Sequence, residues 1–201
     1  MNDIAKSNEV ESVMRQDEIE ITVDDLLDRE KIRQNLARYC RGVDRQDIEL
    51  LSSAYWPESW DSHGMFECTG HDFCRAMPSV WPTMKTAHLL GEPYIELQGN
   101  FANAETYVFA YHRLGEEPNT KDAYIGARYN DRLEKRGGRW KFIHRVVVFD
   151  WYRDVGASFP WDDSVFALAK MPQRNYSATT SDYSWELFAN TPFIRKVPPR
   201  D

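Results

Sequence analysis

Apolar positions near the start of the chain recur every three or four residues. Ile32, Leu36, Tyr39 and Val43 fall on one stripe, which predicts a helix with that face on a core. Asp24, Asp25 and Asp28 crowd its start, where carboxylates suit the positive end of the helix dipole. Gly42 is expected as its stop. A second helix is expected over 48–55, before Pro57, with Asp47 as its cap. A short strand is expected within 61–69 and a third helix over 70–80, with Pro78 and Pro82 breaking it. Phe73 and Cys74 fit the apolar side of that third helix.

The period then changes. Residues 87–98, 102–114, 123–135 and 140–153 read as four strands rich in Tyr, Val, Ile, Phe and Trp. Gly99-Asn100 and Arg136-Gly137-Gly138 supply turns between them. Helices first and strands afterwards predict an α+β fold rather than alternating βαβ units. The expected architecture is a cone-shaped, curved, mixed β-sheet wrapped around the N-terminal helices. A pocket is expected between the two layers. The expected domain covers 21–155, behind an N-terminal arm at 1–20. An irregular C-terminal extension at 156–201, with aromatic anchors such as Trp161 and Trp185, is expected to lie over the pocket or a subunit interface.

Composition narrows the partners. The 201 residues suit one domain with decorations, and 42% hydrophobic content is ample for one core. A net charge of -7 argues against nucleic acid, which needs a basic face. The longest apolar runs fall far short of a membrane span, and residues 1–25 lack the pattern of a signal peptide. Three Cys make a disulfide framework unexpected, so a cytoplasmic location is the default. Cys68, His71 and Cys74, with Cys40, do not form a standard zinc pairing. Neither a metal nor a cofactor is expected.

The candidate chemistry centres on His88, in Thr86-Ala87-His88, near Gly91 and Pro93. An imidazole can take a proton near neutral pH, and works best when a carboxylate fixes its tautomer. Asp44 or Asp47 can supply that carboxylate. Asp47, directly before Ile48, suits a helix cap better, which leaves Asp44 without an obvious structural task. The competing reading of His88 is a half-buried strand histidine bonded to backbone. Tyr39 is five residues before Asp44, a divergence of roughly 140° on an ideal helix, so the two converge only if the helix unwinds around Gly42. Its competing role is core packing. By period-2 alternation Arg145 shares a face with Lys141, Ile143, Val147, Phe149 and Trp151, opposite His144 and Asp150. An inward Arg145 would hold an anionic leaving group or oxyanion; an outward one would form a surface ion pair. Tyr55 and Trp151 join Arg145 as expected substrate contacts. His63, before Gly64, and His112 are secondary candidates.

From about residue 23 to 153 the chain resembles the SnoaL-like family of the cystatin-like, nuclear transport factor 2-like superfamily. The resemblance rests on Asp28-Arg29-Glu30-Lys31-Ile32-Arg33, Tyr39-Cys40-Arg41-Gly42-Val43-Asp44-Arg45-Gln46-Asp47, Thr86-Ala87-His88, Gly126-Ala127-Arg128-Tyr129-Asn130-Asp131 and Gly138-Arg139-Trp140-Lys141-Phe142. By pattern it is similar to the bile acid 7α-dehydratases, scytalone dehydratase and hexachlorocyclohexane dehydrochlorinase. That resemblance implies Asp44 and His88 as a catalytic dyad, Tyr39 as a hydrogen-bond donor to substrate oxygen, and Arg145 as the match for a late arginine. It also implies a homo-oligomer, a trimer above all, and a small apolar cyclic or steroid-like substrate. The expected activity is a cofactor-independent lyase of dehydratase or dehydrohalogenase type. An isomerase or cyclase using the same pocket, and a non-catalytic binding protein or dioxygenase small-subunit-like protein, stand as alternatives.

Overall fold

A computed structural model describes residues 21–158 except Met65 and Glu117, together with Ser184 and Phe188. The expected N-terminal arm and nearly all of the C-terminal extension lie outside the described residues. Within the described part, helix α1 spans Val23–Asp44, α2 Ile48–Ser52 and α3 Gly70–Val80, with a 3-10 turn at Trp81–Thr83. The strands are β1 Tyr55–Ser62, β2 Glu67–Thr69, β3 Met84–Leu90, β4 Tyr94–Gln98, β5 Phe101–Leu114, β6 Lys121–Arg136 and β7 Arg139–Ala157. The result is α+β, with N-terminal helices followed by a curved, unclosed, mixed sheet of seven strands. None of the described helices is long and apolar enough to cross a membrane.

Thr22 caps α1. Its hydroxyl accepts from the Asp25 N–H at 3.1 Å, and Asp25 Oδ2 accepts from the Thr22 N–H at 2.9 Å. This reciprocal box satisfies two donors that the helix start leaves open. Asp28 does something else. Its carboxylate turns onto the sheet and accepts from Lys135 Nζ of β6 at 2.6 Å. The stripe Ile32, Leu36, Tyr39 and Val43 is buried as the periodicity predicts.

The helix does not stop at Gly42; it continues to Asp44. The left-handed position of the turn falls to Gln46, at φ 56°. Gly42 is needed for a different reason. A Cβ there would lie 2.6 Å from the backbone nitrogen of Leu51, so only glycine lets α2 pack this close to α1. Asp47 caps α2 as expected, accepting from the Leu50 N–H at 2.9 Å.

The expected second helix ends three residues early, and β1 takes Tyr55 onward. Tertiary pairing decides this. β1 lies parallel to β7, with Tyr55 opposite Phe142 and Asp61 opposite Arg145. The register shifts between Tyr55 and Trp60, which accommodates Pro57.

The sheet order is β2-β1-β7-β6-β5-β3, and β4 also pairs with β5. The expected single strand over 87–98 is therefore two strands on one edge, interrupted at Gly91-Glu92-Pro93. Gly91 still bridges, donating its N–H to the Tyr107 carbonyl at 2.8 Å. β6 and β7 pair antiparallel with irregularities near Gly126/Ala127 and Arg132/Leu133. Each leaves one extra residue on β7, Asp150 and Ile143. Each also flips the alternation of side chains. Arg145, Val147 and Phe149 keep one face, but Lys141 and Trp151 do not share it, in contrast to strict alternation. Phe142 turns inward with Arg145, and Trp151 lies half-exposed against Gly126.

Candidate active site

Between α1, α3 and the sheet lies a cavity of about 510 Å³. Phe73, Met77 and Val80 recur at helical spacing, so α3 presents one apolar face to it. Val108, Ala110, Ile125, Ala127 and Val147 line the sheet side. Among the described residues the polar groups on its wall are Tyr39, His63, Thr86, His88, His112 and Tyr129. No Asp, Glu, Lys or Arg is among those wall residues, so the cavity suits an apolar molecule with one or two polar atoms.

His88 and Asp44 meet. Thr86 and His88 are two residues apart on β3 and project to the same side. Asp44, at the last turn of α1, reaches across to both. His88 Nδ1 donates to Asp44 Oδ1 at 2.7 Å, the His88 backbone N–H donates to Oδ2 at 2.9 Å, and the Thr86 hydroxyl donates to Oδ1 at 2.8 Å. A carboxylate at a helix C-terminus opposes the macrodipole, so this placement depends on donors from elsewhere. Burial pushes the Asp44 carboxyl up, but the hydrogen bonds from His88 and Thr86 outweigh it and hold the group below its usual range. With Nδ1 committed to Asp44, the lone pair of neutral His88 is on Nε2. That is the state a general base requires.

His112 on β5 sits edge-on to His88, ring centroids 5.8 Å apart. Burial, with the neighbouring His88, pulls its pKa down to about 4, so it is neutral at physiological pH.

Tyr39 lines the cavity, but it does not converge on Asp44, because α1 stays helical past Gly42. Its hydroxyl instead lies 3.0 Å from His63 Nε2. Burial raises the Tyr39 phenol well above its ordinary range, which keeps it protonated. Beneath the ring lies Arg145, fully buried, its guanidinium carbon 4.1 Å from the ring centres of Tyr39 and Tyr129 and 4.0 Å from that of Phe142. Arg145 is bound in two places to Asp131, at 2.6 and 2.7 Å.

None of the three expected substrate contacts lines the cavity. Arg145 lies behind its wall and supports Tyr39. Tyr55 is fully buried and donates to Asp61 Oδ2 at 2.5 Å. Trp151 belongs to a separate groove on the sheet, with Leu89, Tyr107 and Phe109. His63, a secondary candidate from sequence, and Asp61, which the sequence does not single out for chemistry, bond to each other beside the cavity. The signal was present as Asp61-Ser62-His63, since residues i and i+2 share a face in extended chain. Cys40, Cys68 and Cys74 are free thiols, and among the described residues no group of three or more His, Cys, Asp or Glu is placed to hold a metal ion.

Residues 24–146 match the SnoaL-like domain. The chain belongs to the SnoaL-like family. No curated protein matches it. Solved structures resemble it over most of their length. A scytalone dehydratase-like protein from Novosphingobium aromaticivorans is 23% identical, with 69% of this chain and 96% of that one covered and a TM-score of 0.58. A type 2 hexachlorocyclohexane dehydrochlorinase is 22% identical, with 69% and 97% covered and a TM-score of 0.62. A protein of unknown function with a cystatin-like fold from Nostoc punctiforme is 18% identical, with 66% and 96% covered and a TM-score of 0.50. At these identities the likeness is one of fold. The SnoaL-like match spans α1 through the first part of β7, and so includes Tyr39, Asp44, His63, His88 and Arg145.

Proposed function

We propose that this SnoaL-like protein is a cofactor-independent lyase that uses His88 as a general base on an apolar cyclic or steroid-like substrate. The observation that carries this reading is the Asp44–His88 pair, 2.7 Å apart, with His88 on the wall of a largely apolar cavity that no Asp, Glu, Lys or Arg among the described residues lines. Nε2 of His88 takes a proton from a carbon next to the leaving group. Asp44 balances the imidazolium that forms. The Tyr39 hydroxyl contacts the substrate oxygen. General acid–base catalysis of this kind contributes about 10²–10⁴-fold. The dehydratase-like and dehydrochlorinase neighbours support the reaction class by analogy of fold.

An isomerase shares the base and the cavity and differs only in returning the proton to the substrate. Incubation with a panel of apolar cyclic β-hydroxy ketones and cyclohexyl halides, followed by mass spectrometry, separates the two. Loss of water or hydrogen halide marks a lyase, and an unchanged mass with a moved double bond marks an isomerase. Either product must vanish with His88→Ala in folded protein; product formation undiminished by that change removes the assignment.

The same reading includes a homo-oligomer, with a trimer as the expected form. Leu89, Tyr107, Phe109 and Trp151 leave apolar surface exposed on the sheet face away from the cavity, which supports association through the sheet. Light scattering at about micromolar concentration checks it against a monomer mass of 23.6 kDa.

A further inference from the structure

A second Asp–His pair borders the cavity, built on different elements from the first. His63 follows β1, and its Nδ1 bonds Oδ1 of Asp61. Asp61 is fully buried, and its other oxygen accepts from Tyr55. A buried carboxylate is costly without partners, and here an imidazole and a phenol supply them. Phe73 of α3 stacks flat on the His63 ring, centroids 4.4 Å apart and planes 7° from parallel, which fixes the ring plane. The far nitrogen, Nε2, is left aimed at the Tyr39 hydroxyl at 3.0 Å. The chain of contacts runs from Asp61 through His63 to Tyr39, and Tyr39 and His63 are both on the cavity wall.

The two pairs are separately anchored. β1 and β3 are parted in the sheet by β7, β6 and β5, so the two histidines approach the cavity from opposite ends of the sheet. We propose that Asp61 and His63 form a proton relay through Tyr39, making the Tyr39 hydroxyl the acid of this site while His88 is its base. This rests on the lyase reading above and narrows its substrate class. An acid opposite the base serves a leaving group that departs poorly without a proton. The favoured substrates therefore lose a hydroxyl or other basic oxygen, and halides gain little from the relay.

His88 Nε2 takes the proton of the C–H bond, and that electron pair becomes the new π bond. The carbon–oxygen bond breaks and its electrons stay on oxygen. That oxygen takes the Tyr39 hydroxyl proton, and Tyr39 takes the Nε2 proton of protonated His63. Asp61 stays a carboxylate throughout, bonded to Nδ1–H. His63 begins protonated and ends neutral, His88 does the reverse, and exchange with water resets both. His63 acts through Tyr39 and is a positioning residue.

Ring opening of benzisoxazoles tests the relay without knowledge of the natural substrate. A base removes the ring C–H proton and the nitrogen–oxygen bond breaks to a phenolate. The 5-nitro compound releases a weakly basic phenolate that needs no acid, and the unsubstituted compound releases a more basic one. His88→Ala should abolish enzymic opening of both. His63→Gln and Tyr39→Phe should each cost at least about tenfold more on the unsubstituted compound than on the nitro compound, a part of the usual general-acid range. Equal losses on both, or no loss on either, overturn the relay while leaving His88 as the base. Wild-type protein no faster than His88→Ala removes the base and the relay together. Histidine ¹⁵N spectra give a second readout: Tyr39→Phe should shift the His63 Nε2 resonance and leave those of His88 in place, and an unmoved His63 resonance overturns the proposal.

Discussion

Asp44 holds His88 at two points, with Oδ1 on the imidazole Nδ1 at 2.7 Å and Oδ2 on the backbone N–H at 2.9 Å. The grip fixes the tautomer and the position of β3 together. It also brings a helix C-terminus and a sheet edge to one place on the cavity wall.

Asp44→Asn tests that grip. An amide in place of the carboxylate can still accept one hydrogen bond, but it cannot balance an imidazolium. Activity should fall by about 10²-fold or more, with the fold retained. Circular dichroism and turnover on the same preparation check it. Full activity would show that the carboxylate only shapes the loop.

His112 gives a pH dependence of stability. In the folded chain it takes a proton only near pH 4, whereas its reference value is 6.5. Between those values the unfolded chain binds the extra proton, so stability falls as pH drops from 6.5 towards 4. The gap is worth about 3 kcal/mol when fully expressed. Its Nδ1 is buried without a hydrogen-bond partner, so His112→Phe adds no new unsatisfied group. Urea unfolding at pH 7 and at pH 4.5 should show that the variant loses less stability on acidification than the wild type.

Gly42→Ala should destabilise despite the better helix propensity of alanine. Propensity favours the change by about 1 kcal/mol. The added Cβ would lie 2.6 Å from the Leu51 nitrogen and 2.7 Å from its Cα, and backbone cannot step aside as a side chain can. Overpacking of this kind costs about 1–3 kcal/mol and should dominate. Thermal unfolding checks the sign.

Arg145 and Asp131 are both inaccessible to solvent and bonded to each other. Asp131→Asn leaves the guanidinium without its counter-charge and should cost about 3–5 kcal/mol. A substrate-binding arginine would instead show a raised KM with stability nearly intact. Chemical denaturation of Asp131→Asn and Arg145→Met distinguishes the two.

The parts legible in the sequence are those fixed by local pattern. The α1 stripe, the Asp47 cap, the third helix and the long strands β5 to β7 all follow from periodicity and turn residues near in sequence. β1 was not legible, because its extended form depends on a parallel partner about 85 residues away, a long-range pairing that no local signal specifies. The face of Trp151 departs from strict alternation for a similar reason: the extra residue at Asp150 reverses it, and bulges leave little local trace. The Arg145–Asp131 pair needs the β6–β7 register to be seen at all. Asp44 with His88 was suggested by residue type and by resemblance, since 44 residues separate them and no spacing rule connects α1 to β3. Asp61 with His63 carries a local signal, the i, i+2 spacing, which becomes visible once β1 is known to run through Asp61.

The role of His88 as a base on the cavity wall rests on its taking a proton from carbon. Opening of 5-nitrobenzisoxazole by wild-type protein and by His88→Ala, each shown folded, measures it most directly. The structure predicts opening well above that of free imidazole at equal concentration for the wild type, and solution-level opening for the variant. Equal rates for the two proteins would contradict it.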